Sequence, residues 1–509
     1  MKIAIKRILC LFALTVFIAV LACGCAAANA SAGNTESISE ISQLNGCEIG
    51  VQTGSTFDIM TDECIENAQK KYYESFADMA VAVRQGKISA FLVDEPIARM
   101  LCSEQSGIRY LDEYISHESY AFAFPQSENG AALCDSFNKF LSEIRADGTI
   151  KEIEDRWFGD DDTYKSVTYP DTSGTSGTLR FIANSGSSPF VYVKDGRMVG
   201  YDVDILCEFC KRNGYGLEMS DADFSAIIPA LITEKADLAA CCITVTEERA
   251  QSVYFSDADY EGGVVVVVAD SAAAGESPGF FESLKESFYK NFIKESRWQM
   301  LLSGLGLTVL ISVCSGLAGA VLGFGVCMLR RCRNKVLSNI AAVYIRIMQG
   351  TPILVFLMIL YYVVFGKSDI SPVTVAIIGF AVNFSAYVSE MMRMGIESVD
   401  KGQNEAALAL GYTRRQSFFK VVFPQAARHF LPVIKGEFIS LVKMTSIVGY
   451  ITIQDLTKAS DIIRSRTYEA FFPLIVTAVI YFVISWLLTL FLGRIEVRID
   501  PKKRKRRIN

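Results

Sequence analysis

Glu405-Ala406-Ala407-Leu408-Ala409-Leu410-Gly411, followed after nine residues by Val421-Val422-Phe423-Pro424, lies among long apolar stretches of a 509-residue chain. Glu-Ala-Ala alone would be any short helix. A glycine placed just after it permits a tight turn, because glycine enters the left-handed region without a Cβ penalty. Its setting makes the segment informative. Uncharged apolar runs cover Leu301 to Leu329, Ile347 to Gly366, Ile370 to Ser389 and Ala470 to Gly493, each long enough for a hydrocarbon layer of about 30 Å. A fifth run, Phe430 to Ile453, is interrupted by Lys435, Glu437 and Lys443, whose charges should face protein or water.

Basic residues give the direction. Arg330, Arg331, Arg333 and Lys335 follow the first span, whereas the Gly366–Ser371 connection carries only Lys367, so the side after the first span is expected to be cytoplasmic. Five spans then put both the Glu405 loop and the tail Lys502, Lys503, Arg504, Lys505, Arg506, Arg507 inside, with the front of the chain outside. An apolar fraction of 51% and a net charge of −6 agree with a chain that is part membrane and part acidic exported domain. The basic tail has no second feature pointing to nucleic acid, and no nucleic-acid partner is expected.

At the front, Lys2, Lys6 and Arg7 precede the apolar run Ile8 to Leu21, the layout of a secretory signal. Cys23 or Cys25 could carry a lipid, Ala28-Asn29-Ala30 offers a cleavage site, and an uncleaved anchor is the third possibility. Eight of the fourteen cysteines fall between Cys47 and Cys242, and sequence assigns no pairing. Cys207-x-x-Cys210 lies in a helical pattern from Val203 to Lys211 and is expected to pack in a core. With His117 and His429 the only histidines, no metal site, catalytic triad or cofactor is expected.

The Glu405–Pro424 spacing resembles the cytoplasmic coupling loop of ATP-binding-cassette (ABC) import permeases, and Lys443 to Leu456 resembles the fourth-span end of polar amino-acid permeases. Val448-Gly449-Tyr450 echoes a potassium filter, but Ile451 stands where such a filter has glycine. The stretch Thr178 to Asp270 resembles the first lobe of extracellular solute-binding proteins for polar amino acids. Its carriers are Pro189-Phe190, Gly200-Tyr201-Asp202-Val203-Asp204, Asp223 to Leu231, Ile243 to Arg249 and Phe255-Ser256-Asp257. Leu44 to Gly159 resembles the second lobe with the family's closing helices, through Gly50 to Thr56, Asp94-Glu95-Pro96, Asp147-Gly148-Thr149-Ile150 and Trp157-Phe158-Gly159. That order is the reverse of the family's. One circularly permuted binding domain is the simplest account; two decayed tandem domains are the alternative.

By resemblance, Arg249 holds a ligand carboxylate with Thr244, Ser55 and Thr56, and Asp94 takes the ammonium. Phe224 covers the side chain, Gln52 reads it, Asn184 is a further binding residue, and Cys242 lies beside the cleft, where Cys241-Cys242 replaces the family's small residues. Ser187 stands where many relatives have a stacking aromatic. Without the motifs, Arg249 would be an ordinary helix-start arginine, Asp94 a turn cap and Phe224 a core residue. Glu405, Ala406, Ala407 and Gly411 are the expected ATPase-coupling positions.

The implied architecture is an α/β two-lobed, periplasmic-binding-protein-like domain followed by an all-α transmembrane permease of about five spans. The expected boundaries are a signal segment 1–30, a second-half-like lobe 40–163, a linker 164–177 that is polar and flexible, and a first-half-like lobe 178–270. An interfacial helix 279–299 leads to the permease 300–495, with the loop at 401–424 and a basic cytoplasmic tail 496–509. The implied function is the substrate-binding and permease subunit of an importer for a polar amino acid in the plasma membrane, as a permease homodimer. It is not itself an enzyme: no G-x4-G-K-[ST] loop occurs, so a separate cytoplasmic ATP-binding subunit is required. A ligand-gated channel or sensor, or an enzyme built on the binding fold, are the competing classes.

Overall fold

The computed structural model describes residues 38–159, 165–270, 280–366, 368, 370–469 and 471–499. The signal segment, its cysteines Cys23 and Cys25, and the basic cluster 502–507 lie outside the described residues. Two compact units are present: residues up to Met300 together with Ser460–Ile475, and Leu301–Ala459 together with the residues from Val476 onward.

The first unit is built on two main sheets. One contains β1 (Glu48–Gln52), β2 (Gln69–Tyr73), β3 (Ala90–Asp94), β4 (Ile108–Tyr110), β5 (Ser116–Tyr120) and β14 (Tyr260–Ala269). Its order is β2-β1-β3-β14-β4, with β5 also paired to β14. The other, ordered β11-β7-β12-β6-β13, contains β6 (Ala123–Pro125), β7 (Thr178–Ala183), β11 (Gly216–Asp221), β12 (Leu238–Ala239) and β13 (Val253–Phe255). A small antiparallel sheet joins β8 (Gly186–Ser187), β9 (Val191–Lys194) and β10 (Arg197–Val199).

The lobes therefore do not coincide with the two sequence pieces expected at 40–163 and 178–270. Strand β14, from the second piece, enters the centre of the first piece's sheet, pairing Val264 with Asp94 and Val266 with Leu92. Strand β6, from the first piece, pairs antiparallel with β12 and β13 in the other sheet. Val264 to Val268 are all buried, as a strand covered on both faces requires. The chain crosses between sheets twice, and the crossings run side by side: Ser256 N–H donates to Phe122 O at 2.9 Å and Asp259 N–H to Tyr120 O at 2.9 Å.

The closing helix Thr149–Phe158 is fixed to the second sheet's helix Tyr201–Asn213. Trp157 Nε1 donates to Asp204 Oδ2 at 2.9 Å, and Arg156 pairs with the same carboxylate at 2.5 Å. Phe158 packs against Tyr260 and Tyr201 with ring centroids 4.8 and 5.1 Å apart. The described part of the linker is not free coil, contrary to expectation. Ser176 N–H donates to Gly214 O at 3.0 Å, Tyr169 hydroxyl donates to Met198 O at 2.6 Å, and a Cβ on Gly174 would meet Gly216 N at 2.2 Å.

Ser460–Ile475 also belongs to this unit. Arg464 pairs with Asp78, and Gln105 Nε2 donates to Tyr468 O at 2.5 Å. Arg466 lies 3.3 Å from Glu104 and 4.7 Å from the Tyr192 ring centroid. Sequence alone did not indicate this attachment. Nor is 279–299 one helix: Phe280–Phe288 runs into a wider turn to Ile293, and Glu295 and Ser296 take φ values of 56° and 51° before Trp298 begins the next helix.

In the second unit, Trp298–Arg330, Pro372–Glu397 and Phe472–Val497 are long and apolar enough to cross a membrane. The expected span Ile347–Gly366 is not one straight helix. Lys335–Gly350 and Ile353–Val364 meet at 108°, because Pro352 offers no N–H and forces Thr351 into extended backbone (φ −102°, ψ 128°). Counted as one, that pair makes a fourth span. The interrupted fifth stretch is helical over Phe423–Met444, starting earlier than expected, and continues as a tight 3-10 turn at Thr445–Ile451, so the Val-Gly-Tyr fragment is helical and not an extended filter. Lys435 in it pairs with Glu496 at 3.7 Å. Small residues bring helices together: a Cβ on Gly319 would meet Ala381 O at 2.8 Å, and one on Gly323 would meet Ser385 O at 2.8 Å.

The strand exchange makes a prediction about folding. Each buried valine of β14 contributes roughly 1.5–3 kcal/mol, so losing the strand removes an amount comparable with a typical domain stability of about 5–15 kcal/mol. Residues 38–159 and 165–270, produced separately, should each lack a cooperative thermal transition and should regain one when mixed. A cooperative melt by either piece alone would contradict the interleaved sheets.

Candidate ligand cleft and coupling loop

Between the two lobes of the first unit lies a tight cavity of about 10 Å³, room for about one water molecule. Gln52, Ser55, Thr56 and Asp94 line it from the lobe of the first sheet; Phe224, Cys242, Thr244 and Arg249 line it from the other. Eight of the nine expected binding residues thus converge from both pieces of sequence on one site. Asn184 is the exception. It does not line the cavity; its Nδ2 donates to Ala222 O at 2.9 Å and its Oδ1 accepts from Gly186 N–H at 3.0 Å, which makes it a brace for the loop after β7.

Arg249 sits in the short helix Glu247–Ala250, whose first turn is capped by Thr246 Oγ1 accepting from Arg249 N–H at 3.2 Å. Its guanidinium donates to Thr244 O and, across the cleft, to Gly54 O, both at 3.1 Å, and lies 5.6 Å from the centre of the Phe224 ring. No carboxylate among the described residues forms an ion pair with it, and burial lowers its pKa from the usual arginine value. The cation is held by neutral groups in a geometry that leaves it open to an anion.

Asp94 ends β3 at the N-cap position of helix Glu95–Glu104, yet its side chain makes no capping bond. The carboxylate is buried and accepts the Tyr120 hydroxyl at 2.5 Å. Burial pushes its pKa up to about 7, against the pull of the Tyr120 bond; nearby Glu118 adds to the rise and Arg249 opposes it. Removal from water disfavours the charged form, and a neighbouring cation would restore it.

The glycine loop between β1 and helix Phe57–Cys64 approaches the opposite lobe closely. Gly54 has φ +80°, and a Cβ there would lie 3.0 Å from Ser225 Cα. Ser55 Oγ donates to Gln52 O at 2.7 Å, fixing the loop. Cys241 and Cys242 take φ values of 133° and 50°, conformations that favour glycine; this strain lies directly on the cavity wall. Tyr120, Phe57 and Phe76 were not found from sequence. Tyr120 stands at a crossing visible only once the sheets are assembled, and neither phenylalanine falls in one of the motifs read from the sequence.

In the second unit, Glu405, Ala406 and Ala407 lie on helix Lys401–Ala409, capped by Asp400 accepting from Gly402 N–H at 2.7 Å. Ala407 is buried, whereas Leu410 is 80% exposed. Gly411 has φ +87°, and Tyr412 N–H returns to Ala407 O at 3.1 Å, the glycine-terminated helix end. Ser417 Oγ bonds Asn404 Oδ1 at 2.7 Å and pins the following turn to the helix.

Residues 315–505 match the family of binding-protein-dependent transport system inner membrane components, and residues 179–404 match the bacterial extracellular solute-binding proteins, family 3. The probable amino-acid ABC transporter permease protein YckA of Bacillus subtilis is 36% identical over 197 residues, covering 38% of this chain and 87% of its own length. The L-cystine transport system permease protein TcyB of the same organism is 33% identical, covering 41% and 91%. Its arginine transport system permease protein ArtQ is 34% identical, covering 38% and 89%. A solved structure of an amino acid ABC transporter is 33% identical, covering 44% of this chain and 100% of its own, with a TM-score of 0.38. The chain belongs to the inner-membrane permease family of binding-protein-dependent transport systems, as a fused form that carries a family 3 solute-binding region ahead of an amino-acid ABC importer-type permease.

Proposed function

We propose that the protein captures a polar amino acid outside the cell in the shared cleft and passes it through its own permease region, energised by a separate cytoplasmic ATPase. The observation that carries this is the pairing of an unneutralised guanidinium, Arg249, with a buried carboxylate, Asp94, on opposite lobes of one cavity. An α-amino acid brings the two complementary charges. Its carboxylate would meet Arg249 with Thr244, Ser55 and Thr56, and its ammonium would meet Asp94, so one molecule ties both lobes together. Phe224 and Cys242 would flank it.

One cleft formed by both sequence pieces supports a single permuted domain, as does a solute-binding match that begins at residue 179. We place the ATPase on the exposed face of Glu405, Ala406 and Leu410, and two permease regions together as a homodimer in the plasma membrane. The cluster Arg330, Arg331, Arg333 and Lys335 supports a cytoplasmic position for the side after the first span. Ligand closure of the lobes would favour one permease state and ATP binding the opposite one, the differential affinity that coupling requires. Amino-acid uptake by proteoliposomes holding this chain and its ATPase should require internal ATP; uptake without ATP, or an ion conductance gated by the amino acid, would replace the importer.

Three further outcomes follow. Arg249→Ala should weaken amino-acid binding roughly thirtyfold or more, since removing one partner of a desolvated charge pair costs about 2–5 kcal/mol; a titration showing a change below about fivefold would remove the carboxylate clamp. Because Asp94 titrates near 7 in the empty cleft and only its carboxylate attracts an ammonium, affinity should fall as pH drops from 8 to 5.5. The slope should approach tenfold per unit below 7 and level off at the lower pKa of the occupied site. A flat wild-type profile would remove Asp94 from the ammonium role. At the loop, Gly411→Val should depress uptake with ligand affinity intact, whereas Gly411→Asn should retain most transport, because asparagine tolerates the left-handed region. A Cβ there meets nothing within 4 Å, so backbone strain and not collision sets the difference; equal transport by both variants would count against a role for this turn.

A further inference from the structure

We infer that the cleft selects an amino acid whose side chain is uncharged and ends in a hydrogen-bonding group. This rests on the amino-acid assignment of the cleft and narrows it. Arg249 and Asp94 are the only charged residues lining the cavity, and the α-carboxylate and α-ammonium occupy both. What remains for the side chain is a wall of Phe57, Phe76, Phe224, Gln52 and Ser187, with the thiols of Cys241 and Cys242. Burial pushes both thiols well above their usual range, so neither supplies a negative charge to meet a basic side chain. Glu118 on β5 contributes field at Asp94 but does not line the cavity.

A charged side chain would enter without a counter-charge and be stripped of water, which is strongly unfavourable. A purely aliphatic one would leave Gln52 unanswered. Gln52 is 4% exposed and lines the cavity. An amide offers both donors and an acceptor, so a hydroxyl, thiol or carboxamide on the ligand satisfies it, while a methyl group leaves it buried and unpaired.

The test is calorimetric titration of the full chain in lipid nanodiscs with L-serine, L-cysteine, L-asparagine, L-glutamine, L-leucine, L-glutamate, L-lysine and L-arginine. The tightest ligand should be a neutral polar one, at least tenfold ahead of glutamate, lysine and arginine. Glutamate, lysine or arginine binding as tightly as the best neutral polar ligand would overturn the inference and leave the amino-acid site standing. Binding by none of the eight, or by none but leucine, would overturn the inference, and the former would sink the amino-acid site as well. In Gln52→Leu, affinity for the best polar ligand should drop at least tenfold while leucine affinity holds or rises, which also shows that the cleft is intact; an unchanged ranking would overturn the role of Gln52.

Discussion

The binding half of the protein depends on two chain crossings that run antiparallel at Tyr120–Phe122 and Ser256–Asp259 and bond to each other through backbone groups. They are the only links through which strands of each sequence piece reach the other's sheet among the described residues, and they set the spacing of the lobes. Tyr120 shows what this placement does. Its backbone carbonyl belongs to the crossing, its ring packs near Phe190 and Tyr260, and its hydroxyl reaches Asp94. A chain crossing between the lobes and the support of one cavity-lining carboxylate thus meet at the same residue.

Electrostatics in the cleft follow from that closure. Excluding water raises Asp94 toward neutrality and lowers Arg249, each move disfavouring a charge held in the empty site. A zwitterion bound there would reverse both. The stress is greatest with the lobes together and the cleft empty, so occupancy changes the free energy of closure itself and not merely the number of contacts. Gly54 adds a geometric condition, since its approach to Ser225 and its carbonyl bond to Arg249 exist only with the lobes together.

Much of the site was legible because its residues stand in short local patterns: a glycine loop, Asp94-Glu95-Pro96 and Thr244 to Arg249 each declare their backbone setting in a few letters. Asn184 stands in no such pattern. It ends a strand near the cleft, but only the folded loop shows that its amide is already satisfied by Ala222 and Gly186. The lobe boundaries were illegible because strand pairing is non-local: nothing around Gly263 to Val268 announces that Asp94 and Leu92 will be its partners. In the membrane region, a continuous apolar run concealed the bend at Thr351-Pro352, although the proline was plain; hydropathy reports length and says nothing of direction.

The attachment of Ser460–Ile475 to the binding unit gives the fusion a structural meaning beyond tethering. In sequence this segment lies inside the permease region, between the 3-10 turn ending at Ile451 and the last long helix. In space Arg464 pairs with Asp78 and Arg466 lies between Glu104 and the ring of Tyr192. Asp78 and Glu104 are on helices of the first sheet's lobe, whereas Tyr192 is on β9 beside the other. A single arginine therefore touches groups from both sides of the cleft. Any change in the angle between the lobes alters its contact with the carboxylate, the ring, or both, and the main chain carrying that arginine continues directly into a membrane-length helix at Phe471.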